Sequence, residues 1–159
     1  MINLIISFFL DGLLSIYQKT LHITPMFSIV ALIFLFLRYH KDSSFYYKAC
    51  LFAGFIYDLL YTNTFPLNTL IFLLLGFIIS KLYLFFSNNL LNGIIINLLV
   101  LIIYKLVTFV ILVLIGYLPF NFVLILDNLL SIILTNTFFF IFIYIVFKEH
   151  KRKISRYGL

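Results

Sequence analysis

Four ionisable side chains stand inside otherwise apolar stretches of this sequence: Asp11, Asp58, Lys105 and Asp127. Each such group adds about 2.5–3.5 kcal/mol to the free energy of placing a helix in hydrocarbon, so each must face a protein interior or an interface. Asp58 has Gly54 four residues before it and Tyr61 three residues after it, and Cys50 extends the same helical face. A small–small–acid stripe lets a neighbouring backbone come close while the carboxylate looks for a donor. It reads either as a folding or partner-contact pivot, or as an acid wetted near the headgroups. Lys105 shares a face with Asn97, Leu101 and Thr108. Asp127 shares one with Ser131 and Thr135, while Asn128 and Asn136 add amides to the same segment. Lys105 is expected to pair with Asp127 or with Asp58. Three acids and one base cannot all pair, which leaves at least one acid neutral or hydrated.

Other chemistries find less support. A proton or ion path through these groups lacks the inverted repeats and paired broken helices of many transporters. No HExxH and no glycine-rich phosphate loop occurs, and no histidine faces a serine or cysteine at helical spacing, so no catalytic constellation is read and the chain is not an enzyme. His22, His40 and His150 are scattered, the single cysteine Cys50 has no internal disulfide partner, and neither a metal site nor a cofactor is expected. Phe72, Gly76 and Ser80 share one helical face, a spacing that suits close helix packing.

The elements that must position these groups are apolar helices. Hydrophobic residues make up 65% of the chain and charged residues 10%, against about 45–50% and about 25% in a soluble domain. A soluble fold of this size leaves roughly a third of its unfolded surface wet and could not hide so much apolar area. The reading is one polytopic all-α membrane domain over residues 1–159. A spanning helix takes about 20 apolar residues, and six stretches qualify or nearly do: residues 2–17, 25–39, 46–61, 67–86, 90–117 and 120–147. Residues 1–10 resemble the apolar part of a signal peptide. They lack a basic start and a small-residue cleavage pattern and run into Asp11, so they are read as a retained first helix. The first three stretches are short, which leaves tilt, interfacial placement or five spans open.

Charge decides between these counts. With the N-terminus in the cytosol and six alternating spans, the inner side receives Arg38, Lys41, Lys48, Lys81 and the basic tail 148–159 with Lys148, Lys151, Arg152, Lys153 and Arg156. The outer side receives only Lys19. This asymmetry follows the positive-inside rule, and removing a helix would break it. The net charge of +6 is therefore a topology signal facing anionic lipid rather than a nucleic-acid surface. Tyr17, Tyr39, Tyr46, Tyr61, Tyr83 and Tyr117 fall at predicted helix ends, as an interfacial belt requires.

The segment 53–62, with Gly54 and Asp58 near the end of a middle helix, then Pro66, Leu67, Asn68, Thr69 and Leu70, and an apolar run to Gly76 and Phe77, resembles the rod shape-determining protein MreD family. Length, helix count, the basic C-terminal tail, and Ser131 and Asn136 in an apolar last helix also agree. Many members carry a glycine in the turn after the aspartate, where this chain has Pro66. The resemblance implies a non-enzymatic component of the bacterial elongation machinery in the cytoplasmic membrane, acting in cell shape and peptidoglycan synthesis. It implies binding to MreC, and work beside the filament protein MreB, the glycosyltransferase RodA and a class B penicillin-binding protein. It also implies a bundle of about six helices similar to the S component of energy-coupling vitamin transporters, a likeness of fold that says nothing about transport. The residues put forward as structural or partner contacts are Gly54, Asp58, Tyr61, Asn68, Gly76, Lys105 and Asp127. A second class, an S-type substrate-capture subunit, would need an outward pocket of convergent polar groups. The outer turns 62–66 and 117–120 are short and poor in charge, though the connection 18–24 is longer.

Overall fold

A computed structural model of the chain describes residues 2–17, 24–62, 65–86, 89–121, 123, 126 and 129–157. Among these residues the protein is all helical: α1 (Ile2–Ile16), α2 (Phe27–Tyr39), α3 (Ser43–Tyr57) continuing into a π-helical turn (Asp58–Thr62), α4 (Leu67–Phe85), α5 (Leu90–Leu114) and α6 (Leu129–Tyr157). The six apolar stretches are thus six helices. Helix α4, helix α5 and residues Leu129–Val146 of α6 are long and apolar enough to cross a membrane. Helices α1 and α2, at 15 and 13 residues, reach only about 20 Å, against a hydrocarbon core of about 30 Å.

Several boundaries depart from the sequence reading for local reasons. Helix α3 begins at Ser43 rather than at residue 46, because the Asp42 side chain accepts from the Phe45 N–H at 3.0 Å and caps the helix. Helix α5 stops at Leu114 rather than 117. Gly116 takes φ +77°, Tyr117 N–H donates to Leu112 O at 2.9 Å and Gly116 N–H to Val113 O at 3.0 Å, which is a Schellman ending. The sixth stretch does not begin at Phe120, which lies in a non-helical segment, and α6 is described from Leu129. At its other end α6 runs on through the basic segment to Tyr157.

Helix α2 is the hub. Residues Phe27 to Leu35 are all buried, and α2 touches α1, α3, α4, α5 and α6. A helix apolar on every side suits such a place. The outer helices show one face each. On α4, Ile71, Phe72, Leu75 and Ile79 are buried while Leu70, Leu74, Phe77 and Leu84 point outward. Large apolar side chains also cover the outside of α1 and α6, including Ile5, Phe9, Phe138 and Phe142, as a surface facing lipid requires.

The two ends of the bundle differ. Asn3, Arg38 and Val146 line one groove, so the start of α1, the end of α2 and the late part of α6 share an end. Phe36 stacks on Tyr83 at 5.3 Å and meets the edge of Tyr46 at 5.2 Å, which brings the start of α3 and the end of α4 to that same end. Asp11 and Asp58 lie toward the opposite end.

Candidate functional site

Helix α4 starts without a capping side chain of its own, since its N-cap residue is Pro66. The first N–H groups of a helix have no partner within it, and where they are buried no water replaces one. Asp58 fills this role from the preceding helix. Its Oδ1 accepts from the Asn68 N–H at 3.0 Å, from Asn68 Nδ2 at 3.0 Å and from Thr62 Oγ1 at 3.3 Å. Its Oδ2 accepts from the Thr69 N–H and from Thr69 Oγ1, both at 2.8 Å. A carboxylate has about four lone-pair sites, so these neutral donors saturate it. The positive end of the α4 dipole adds to this support.

The geometry explains the spacing of the motif. Gly54 sits one turn before Asp58, where a Cβ would lie 2.5 Å from Asn68 O and 2.7 Å from Thr69 Cα. Only glycine lets the first turn of α4 come close enough for the carboxylate to reach its N–H groups. Further down the same pair, a Cβ on Gly76 would lie 2.8 Å from Cys50 Sγ. Gly54 and Gly76 are thus the two close approaches of an antiparallel hairpin made by α3 and α4. The π-helical turn begins at Asp58 itself, whose N–H is shared between Gly54 O and Phe55 O.

Asn68 carries the network onward. Its Nδ2 also donates to Thr62 Oγ1 at 3.0 Å, and its Oδ1 accepts from the buried Tyr104 hydroxyl on α5 at 2.9 Å. Tyr61 turns the other way: its hydroxyl donates to Phe8 O on α1, and its ring stacks on Phe8 at 6.5 Å. Gly12 leaves room for that hydroxyl, at 3.1 Å from where its Cβ would be. The proposed contact residues Gly54, Asp58, Tyr61, Asn68 and Gly76 therefore meet on one hairpin, which reaches α1 through Tyr61 and α5 through Asn68. Lys105 lies half-buried on α5 beside Tyr104. Asp127 falls outside the described residues.

A second centre repeats the device. Helix α2 has Met26 at its N-cap and no capping side chain there. The buried Asp11 on α1 accepts from the Phe27 N–H at 2.7 Å and the Ser28 N–H at 2.9 Å. Asn136 on α6 completes the entrance: its Oδ1 accepts from the Met26 N–H at 2.8 Å, and its Nδ2 donates to Thr24 O at 3.1 Å and Ile132 O at 2.8 Å. Sequence reasoning singled out Asp11 only as a buried charge, and Asn136 as an amide and, with Ser131, as a polar residue of the last apolar helix. It did not assign capping roles to either, nor network roles to Thr69 and Tyr104. The missing signal was negative: two helix starts, at Met26 and Pro66, that carry no capping residue.

Between the two centres lies a small cavity of about 220 Å³, with polar lining from Asp11, Ser15, Thr24, Tyr57, Tyr61 and Thr62. No group of three or more His, Cys, Asp or Glu residues that could hold a metal ion occurs among the described residues.

Residues 1–150 match the family model of rod shape-determining protein MreD. No curated protein and no solved structure matches the chain significantly. The match spans both helix-capping centres and all but the last residues of α6. The chain belongs to the MreD family, and is a membrane protein of the kind that determines cell shape.

Proposed function

We propose that the protein is a non-enzymatic, multi-pass component of the bacterial cytoplasmic membrane that serves cell elongation by packing against MreC, and through it supports lateral peptidoglycan synthesis. The observation that carries this reading is the saturated state of Asp58. A carboxylate holding five neutral donors from its own chain is a structural fixture, and such a fixture suits a rigid scaffold better than a reacting group. A rigid α3–α4 hairpin offers a partner helix a preformed surface, and so limits the ordering entropy lost on association. A RodA-like glycosyltransferase, a class B penicillin-binding protein and an MreB-like filament are the further partners of this reading.

In the same reading all six helices cross or enter the bilayer, with the short α1 and α2 held at depth by the others, in a bundle similar to an S component. Both termini face the cytosol. The shared end of Asn3, Arg38 and Val146 supports an even number of crossings. Introduced cysteines at positions 41 and 151 are expected to resist an impermeant maleimide in intact cells, while one at position 19 reacts. Labelling of position 151 from outside overturns this orientation.

One observation favours the second reading, a substrate-capture subunit: the polar cavity between the capping centres. Its volume of about 220 Å³ falls below the roughly 300–1,000 Å³ of ordinary ligand pockets. Depletion of the protein separates the two. Rounded or widened cells with normal vitamin uptake support the scaffold. Normal rods with impaired uptake overturn it in favour of capture.

A further inference from the structure

The basic end of the bundle carries a feature that the capping centres do not use. A groove of about 400 Å³ runs between α1 and α6 and reaches the last turn of α2. Apart from Asn3 near the start of α1, its walls are apolar: Ile6 and Leu10 from α1, and Phe142, Ile143 and Val146 from α6. Arg38 closes one end. The Arg38 side chain is exposed, with its guanidinium 5.8 Å from the Tyr39 ring centre, and Lys41 follows, also exposed. The next acid along the chain, Asp42, is engaged by the Phe45 N–H.

We propose that this groove binds an anionic phospholipid, one hydrocarbon chain lying between α1 and α6 and the phosphate held by Arg38. Two observations point to this occupant rather than to a partner helix. The groove is amphipathic lengthwise, with hydrocarbon along its walls and the Arg38 cation at the end, which is the pattern of a lipid molecule. A guanidinium presents a rigid fork of donors that matches phosphate oxygens. The cation also lies at the end of the bundle toward which the basic segment of α6 leads, where anionic lipid collects in the cytosolic leaflet if the proposed orientation holds. The lipid would wedge the first helix against the last.

Native mass spectrometry of the purified full chain in detergent tests this, with dioleoyl phosphatidylglycerol as the probe and dioleoyl phosphatidylcholine as the neutral comparison. The wild type is expected to retain the anionic lipid over the neutral one. Arg38→Gln is expected to lower that preference roughly fivefold, and Arg38→Lys to keep part of it. Ile6→Trp, which fills the groove from an exposed position, is expected to reduce retention of both lipids without touching the charge. Equal retention of the two lipids by the wild type, or an unchanged preference in Arg38→Gln, overturns the proposal. So does a photocrosslinker at Phe142 that captures another protein in place of lipid in native membranes. Retention is read in detergent and does not depend on cell shape, so failure here leaves the scaffold reading standing.

Discussion

The backbone and side-chain nitrogens of Asn68 both donate to the same carboxylate oxygen of Asp58, each at 3.0 Å. One residue of α4 is thereby held twice by one atom of α3, and the other oxygen holds Thr69 in the same way. Asp58→Ala leaves these donors bare in a buried place, at about 1–3 kcal/mol for each unsatisfied group. The expected outcome is a loss of several kcal/mol in detergent unfolding, with lowered abundance in the membrane. Asp58→Asn keeps one acceptor oxygen but turns an NH₂ toward the Thr69 donors, so it should fall between alanine and the wild type. Wild-type stability, abundance and MreC pull-down in Asp58→Ala would remove Asp58 as the organiser of the hairpin.

Gly54 and Gly76 should answer differently to alanine. The Cβ at position 54 would meet backbone atoms, Asn68 O and Thr69 Cα, which cannot move without shifting α4. At position 76 the nearest atom is Cys50 Sγ, with Cys50 Cβ next at 3.3 Å. Overpacking of this kind costs about 1–3 kcal/mol. Cys50→Ala is expected to restore most of what Gly76→Ala loses and nothing of what Gly54→Ala loses. The thermal midpoints of the two double variants check this directly.

The start of α2 has two separable supports. Hydrogen exchange in detergent should show faster exchange at Phe27 and Ser28 in Asp11→Ala, and at Met26 in Asn136→Ala. The reasoning is that each amide exchanges once its own acceptor is gone. A uniform change at all three amides in both variants would mean that the entrance opens as one unit instead.

Tyr104→Phe removes only the hydroxyl that donates to Asn68 Oδ1, and is expected to destabilise by about 1–2 kcal/mol because both groups are buried. Tyr61→Phe should cost less, since Tyr61 is only half-buried and retains its stacking on Phe8. Unfolding curves that rank the two in the reverse order would place the greater burden on the α1 contact.

The apolar runs made the helices legible, because in lipid a helix satisfies its own backbone and long hydrophobic segments have no other option. The stripe of Cys50, Gly54 and Asp58 was legible too, because helical spacing alone puts these residues on one face. What stayed hidden were relations between helices. Asp11 and Asp58 cap helices that begin sixteen and nine residues later, and a search for capping residues looks only at the helix start itself. Helix α2 was equally opaque. A buried hub and a lipid-facing rod are both apolar all round in a membrane protein, so hydropathy cannot separate them. The Schellman ending at Gly116 was readable in principle, but an unbroken apolar run across it concealed the stop.

The remote caps also bear on biosynthesis. Each aspartate leaves the ribosome before the helix whose start it covers, so α1 with α2, and α3 with α4, can enter the translocon's lateral gate as ready hairpins. Asn136 behaves otherwise. It reaches back 110 residues to Met26, so the second helix waits for the sixth before its last bare amide is covered. A nascent chain cut short anywhere ahead of residue 136 would carry that exposed donor within the bilayer, a defect by which membrane quality control could tell unfinished copies from complete ones.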